Sequence, residues 1–107
     1  MGIFSKLFGQ SERQEDTLSG AVFVIEDKFS LGGRGTVVVG KVTQGCFSVG
    51  DKVKIKSASD GSILKSAVTG IEINKIPYPS ASAGGFAALL LSGIKAEQVD
   101  PGDLILK

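Results

Sequence analysis

The chain opens with a short helical pattern and then changes period. Ile3, Phe4, Leu7 and Phe8 fall at helical spacing and would share one face of about two turns. A polar, charged stretch from Gln10 to Thr17 follows and reads as a linker. The apolar face is either a membrane or partner anchor, or a frayed terminus that packs loosely on the barrel or on nothing, because so short a helix is marginal alone. From Ser19 onward the pattern is that of strands. Ala21–Phe29 and Gly35–Val42 are rich in β-branched residues. Lys52–Lys56 alternates, with Val53 and Ile55 on one face and three lysines on the other. Ser62–Ile76 predicts a long strand with Thr69, Ile71 and Ile73 on one side. Phe86–Ser92 is continuously apolar and predicts a strand buried on both faces, and Leu104–Leu106 predicts a last one.

Turn residues punctuate these runs. Gly32-Gly33 precedes the second strand, and Gln44-Gly45 follows it. Asp60-Gly61, flanked by serines, is the strongest hairpin signal. Val49-Gly50-Asp51 and Pro101-Gly102-Asp103 are similar pieces that each lead into a strand. In both, Gly can take positive φ and Asp can bond the backbone. Pro77 and Pro79 end the long strand. About six strands without an intervening helix predict an all-β fold, a closed or nearly closed antiparallel barrel. The division expected is an extension over 1–18 and a barrel over 19–107.

At 107 residues the chain has room for one core of useful size. Fifteen glycines, with 42% hydrophobic and 21% charged residues, suit a compact domain rich in strands and turns. The formal net charge is +1, with net −1 in residues 1–19 and net +2 in the rest. That balance predicts no electrostatic grip on long nucleic acid and no DNA partner, and leaves a small, shape-dependent RNA contact open. A single cysteine, Cys46, leaves no intrachain disulfide to form. The longest apolar run, Phe86 to Leu91, is too short to span a bilayer, and Lys6 stands where a myristoylation signal needs Ser or Thr. The expected setting is the cytoplasm, away from membranes.

The chemistry available is sparse. The chain has no histidine, which removes His-based acid–base catalysis, Ser-His-Asp triads and Cys/His metal sites. Adjacent Glu26 and Asp27 would point to opposite faces of a strand and make a poor acid/base pair. Gly32-Gly33-Arg34-Gly35-Thr36 is glycine-rich but enters a strand, so it lacks the helix N-terminus of a phosphate loop. No catalytic residue, metal or cofactor is expected. Tyr78, between two prolines, is a candidate exposed contact, but one aromatic makes no stacking platform.

An ordered series of segments carries a family resemblance. Ile25-Glu26-Asp27-Lys28-Phe29-Ser30-Leu31-Gly32-Gly33-Arg34-Gly35-Thr36 runs into Val37–Val42. Gly45, Val49–Val53, Val68–Glu72 and Ala83-Gly84 follow. Leu89–Lys95, Glu97–Val99 and Gly102–Ile105 complete the series. It resembles the second domain of elongation factor Tu and other translational GTPases across residues 21–107. The resemblance implies a Greek-key barrel of six or seven strands. Only about 20 residues precede the barrel, so the chain resembles a free-standing second domain that neither binds nor hydrolyses GTP.

In that family the barrel helps hold the aminoacylated 3′ end of tRNA, and related barrels touch ribosomal RNA. The matching positions are Leu31, Gly33, Val37, Glu72 and Leu90, with Arg34 beside them and Lys75 where the factor commonly has Arg. The apolar residues would support a base, glycine would admit close approach, and Glu72 would accept bonds from ribose or base. Leu31, Val37 and Leu90 could equally be barrel core or rim, and Arg34 a surface partner of Glu26 or Asp27. Ser92 replaces a family Arg, and Gly84-Gly85-Phe86-Ala87-Ala88 replaces Gly-Asp-Asn-Val-Gly. The Ser92 departure removes a cationic group. The alternative partner is therefore a protein, with the barrel acting as an adaptor or self-associating module.

Overall fold

The computed structural model describes Gly2–Ile3, Ser5–Lys6 and residues 20–107. Phe4, Leu7 and Phe8 of the expected apolar face, and the linker after them, lie outside the described residues. The strands of the main body are β1 (Val22–Ser30), β2 (Thr36–Gln44), β3 (Cys46–Ser48), β4 (Lys52–Lys56) and β5 (Ile63–Ile73). They continue with β6 (Ile76–Pro77), β7 (Ser80–Ser82), β8 (Phe86–Leu91) and β9 (Leu104–Leu106). Two single-turn 3-10 helices, Gly32–Arg34 and Ala96–Gln98, sit in loops.

Six strands form a closed antiparallel ring in the order β8-β2-β1-β9-β4-β5, sealed by pairing of β8 with β5. β6 adds to β5 as an extra strand, and β3 and β7 form a separate two-stranded sheet. This is the all-β barrel that the strand pattern predicts. Closure leaves no free edge along the ring, which protects the backbone from pairing with other chains.

The alternation read from the sequence sets the core. Phe23, Ile25, Val38, Val42, Val53, Ile55, Leu89, Leu91 and Ile105 all point inward and are buried. Phe47 of β3 closes one end, edge-on to Phe23 with ring centroids 6.2 Å apart. Toward the other end, Ile94 and Val99 are buried. There the Lys28 ammonium donates to the Ala96 and Val99 carbonyls at 2.7 and 2.6 Å, so its charge is met without leaving the barrel mouth.

The two Gly-Asp turns work alike. Gly50 and Gly102 have φ of 99° and 97°. The Asp51 carboxylate accepts the Ser48 N–H at 2.7 Å, and the Asp103 carboxylate accepts the Asp100 N–H at 2.9 Å. Asp103 is buried, and its second oxygen accepts the Ala58 N–H at 2.9 Å, which ties β9 to the β4–β5 loop. Asp51 also receives the Lys107 ammonium at 2.9 Å. Partial burial pushes the Asp51 carboxyl up, but the Lys107 and Ser48 hydrogen bonds and the nearby positive charge outweigh it, so the net shift is downward.

Several sequence expectations are corrected. The strand from Ser62 does not run to Ile76. It stops at Ile73, and Asn74-Lys75 makes a two-residue turn with φ of 55° and 67°, the primed hairpin geometry, without any glycine. The hairpin at Asp60-Gly61 does form, but through the longer loop between Lys56 and Ile63, with the Asp60 carboxylate accepting the Ser62 N–H at 2.9 Å. Thr69 does not share a face with Ile71. A bulge sets Leu90 against Gly70 and Leu91 against Val68, so Thr69 is the extra, exposed residue and Val68 turns inward. A bulge in β1 likewise sets Ile25 against Gly40 and Asp27 against Val39, leaving Glu26 and Asp27 both exposed rather than on opposite faces.

Gly40 and Gly35 are steric requirements of closure. A Cβ on Gly40 would fall inside the Val24 carbonyl oxygen, and one on Gly35 inside that of Leu91. Gly35 also has φ 108° and ψ −156°, a region that only glycine enters without strain. Gly40→Ala is expected to cost about 2–3 kcal/mol in urea denaturation, since backbone must move to admit the methyl. The depressed Asp51 carboxyl gives a second expectation. Its contribution is fully present above the ordinary value of 3.8 and is lost as pH falls through its lower, native value. Relative to Asp51→Asn, the wild type should be more stable at pH 7 by about 1 kcal/mol, allowing for solvent screening of the ion pair. The gap should close on acidification below the ordinary carboxylate range, read as the difference between two stability-versus-pH curves.

Candidate functional site

β8 was expected to be buried on both faces, and it is not. Ala87, Leu89 and Leu91 enter the core, while Ala88 and Leu90 are half-buried and Phe86 is 58% exposed on the outside. The strand is apolar on both sides because its outer side is the floor of a groove. Register explains the floor. One row around the barrel wall reads Phe29, Val37, Leu90, Gly70; the next reads Asp27, Val39, Ala88, Glu72, Pro77. Val39 and Ala88 therefore separate Asp27 from Glu72, and of these two carboxylates only Glu72 lines the groove.

The groove has a volume of about 370 Å³. Val37, Leu90, Ala88 and Gly70 form its base. Leu31 and Arg34, from the β1–β2 loop, wall one side; Pro77, Tyr78 and Val49 wall the other. The loop holds its shape through the Leu31 N–H to the Gly35 carbonyl at 3.0 Å and the Gly32 N–H to the Ser30 hydroxyl at 3.2 Å. The Tyr78 N–H donates to the Ile71 carbonyl at 2.9 Å, which brings the chain after the Asn74-Lys75 turn back over β5. That turn is what delivers an aromatic to the groove. Gly70 has room above it, since an added Cβ would meet only the Leu90 side chain, at 3.5 Å.

Of the positions singled out in the sequence, Leu31, Arg34, Val37, Glu72 and Leu90 line this one groove. The apolar three are rim and floor rather than core, with Leu31 39% exposed. Glu72 is exposed and makes no hydrogen bond or ion pair with another described side chain, and Arg34 is not paired with Glu26 or Asp27. Gly33 and Lys75 are not among the lining residues. Gly33 lies in the 3-10 turn with open space where a Cβ would stand. Lys75 is carried off to the hairpin tip, because the primed turn places it beyond the end of β5. Val49, Gly70, Ile71, Pro77, Tyr78 and Ala88 complete the lining, and sequence reasoning had not assigned them to the site. For Gly70 the signal was present, since glycine inside a strand often marks a close approach.

The arrangement can hold a flat, partly apolar group. It offers one acceptor carboxylate, one guanidinium and one phenol at the edges. It has no pair of carboxylates across a reacting centre, and no cluster of metal-ligating side chains occurs among the described residues.

Comparison with known proteins bears on this barrel directly. The apo crystal structure of translation elongation factor SelB from Methanococcus maripaludis superposes with a TM-score of 0.74 at 26% identity, covering 86% of this chain. The chain spans only 20% of that protein's length. Residues 35–106, from the glycine that closes the β1–β2 loop to the last barrel strand, match the family described as elongation factor Tu domain 2. The chain belongs to the elongation factor Tu domain 2 family, the β-barrel domain of translational GTPases and not their GTPase domain.

Proposed function

We propose that the chain is a non-catalytic binding module of the cytoplasm that takes an exposed RNA nucleotide into the groove, as at a tRNA acceptor end or on ribosomal RNA. The observation that carries this reading is the convergence of Leu31, Arg34, Val37, Glu72 and Leu90, far apart in sequence, on one groove. A volume of about 370 Å³ lies within the range of small-ligand sites. Val37 and Leu90 would support the face of a base, and Tyr78 could stack at its edge. Glu72 would accept from a ribose 2′-hydroxyl or an exocyclic amine, and Arg34 would meet the flanking phosphate. The Glu72 carboxylate at the groove's edge disfavours phosphate there and favours sugar or base.

A second reading has its own support. Phe29 and Phe86, 52% and 58% exposed, flank the groove and suit a protein partner.

Titration of labelled protein with a short CCA-ended RNA, followed by two-dimensional NMR, separates the two. Localised shifts at Leu31, Val37, Gly70, Glu72 and Leu90 are expected. Silence at millimolar RNA would discard the nucleotide reading in favour of a protein. Two glycines sharpen the test. Gly70→Ala fits the backbone and should change stability by less than about 0.5 kcal/mol. Its methyl narrows the floor, so RNA affinity should fall several-fold. Gly33→Ala, with open space around it, should alter neither stability nor affinity.

A further inference from the structure

The chain's charge is nearly balanced, but it is not evenly spread. The outer faces of β4 and β5 carry Lys52, Lys54, Lys56 and Lys65, all exposed. The three on β4 stand at alternate positions, about 6.7 Å apart. Lys54 and Lys65 are direct cross-strand partners, so their side chains leave the sheet about 5 Å apart. Like charges opposed in this way destabilise a sheet.

The acids nearest to this face are already engaged. Asp51 holds Lys107 and the Ser48 N–H, Asp60 accepts the Ser62 N–H, and Asp103 is buried on two backbone N–H groups. Among the described residues, none of the four lysines is in an ion pair. The neighbours on β9, Leu104 and Leu106, bring no charge. The result is a sheet face of four lysines, none of them in an ion pair with a described residue.

We propose that Lys52, Lys54, Lys56 and Lys65 form a phosphate-binding face for an RNA strand whose nucleotide end occupies the groove. The link is strand β5. Its first half carries Lys65 beside β4, and its second half carries Gly70 and Glu72, which line the groove. Lys65 and Gly70 are about 16 Å apart along the strand, which a few nucleotides span. Charge complementarity calls for a polyanion. The choice of RNA among polyanions rests on the groove reading above; the cationic face does not.

Binding of the full chain to a fluorescein-labelled 12-nucleotide RNA ending in CCA, measured by anisotropy over a series of salt concentrations, tests this. The double variant Lys54→Gln/Lys65→Gln should weaken binding at least about tenfold at 50 mM salt. It should also flatten the dependence of log K on log salt by about 1.4, two phosphate contacts on a single strand. Its Tm should not fall, because a repulsive pair has been removed; lost affinity therefore cannot be ascribed to unfolding. Lys54→Arg/Lys65→Arg should keep the slope. Gly70→Ala should weaken binding and leave the slope as it is. If the lysine variant lowers the slope while NMR shows no shift in the groove, the groove reading fails and the phosphate face stands. An unchanged affinity and slope in the lysine variant overturns the face. So does binding to phosphatidylserine vesicles with none to RNA.

Discussion

Closure of the ring at β8 is the constraint on which the rest of the structure depends. This six-residue strand pairs with β2 along one edge and β5 along the other. Both ladders must be satisfied at once, because an unpaired backbone group in the wall of the barrel would have neither water nor partner. Meeting both requires a close approach to Leu91 that only glycine at 35 permits, and β5 to absorb one extra residue at Thr69, while Gly40 lets β2 lie equally close to Val24 on its other side, in β1. Once β8 is locked, alternate side chains are committed. Leu89 and Leu91 enter the core, and Ala88 and Leu90 are held outside with apolar neighbours on either hand.

The groove follows from that commitment. Its base is the outer surface of the sealed seam, so its shape is as fixed as the barrel itself. Its walls are loops, each held by short-range bonds: the 3-10 turn at Gly32–Arg34 and the returning segment at Pro77-Tyr78. Rigid floor and local walls suit a module that holds one group in one pose. The cationic face of β4 and β5 has a similar origin, since pairing register alone sets Lys54 against Lys65. Both surfaces are side effects of strand register, and β5 belongs to each.

Much of this was legible along the chain. The β4 alternation, the paired Gly-Asp turns and the long β-branched runs each express a local rule, and each element appears where the pattern put it. What failed were places where a strand departs from strict period two. The bulges at Glu26 and Thr69 shift every later residue by one face, and neither leaves a mark in composition. The Asn74-Lys75 turn escaped notice because it lacks the glycine that usually signals a primed hairpin, and with it went the placement of Lys75 and Tyr78.

The sequence by itself determined the class of fold, the barrel core and the absence of histidine chemistry, because these depend on residue type and local period. It also marked Leu31, Arg34, Val37, Glu72 and Leu90 through resemblance. Only the tertiary structure decided that these five meet, that Gly33 and Lys75 do not join them, and that the apolar β8 serves core and groove at once. A run such as Phe86–Leu91 reads the same whether its outer face is covered or open. The difference lies in what ring closure packs against it, and that depends on pairings between residues up to dozens of positions apart.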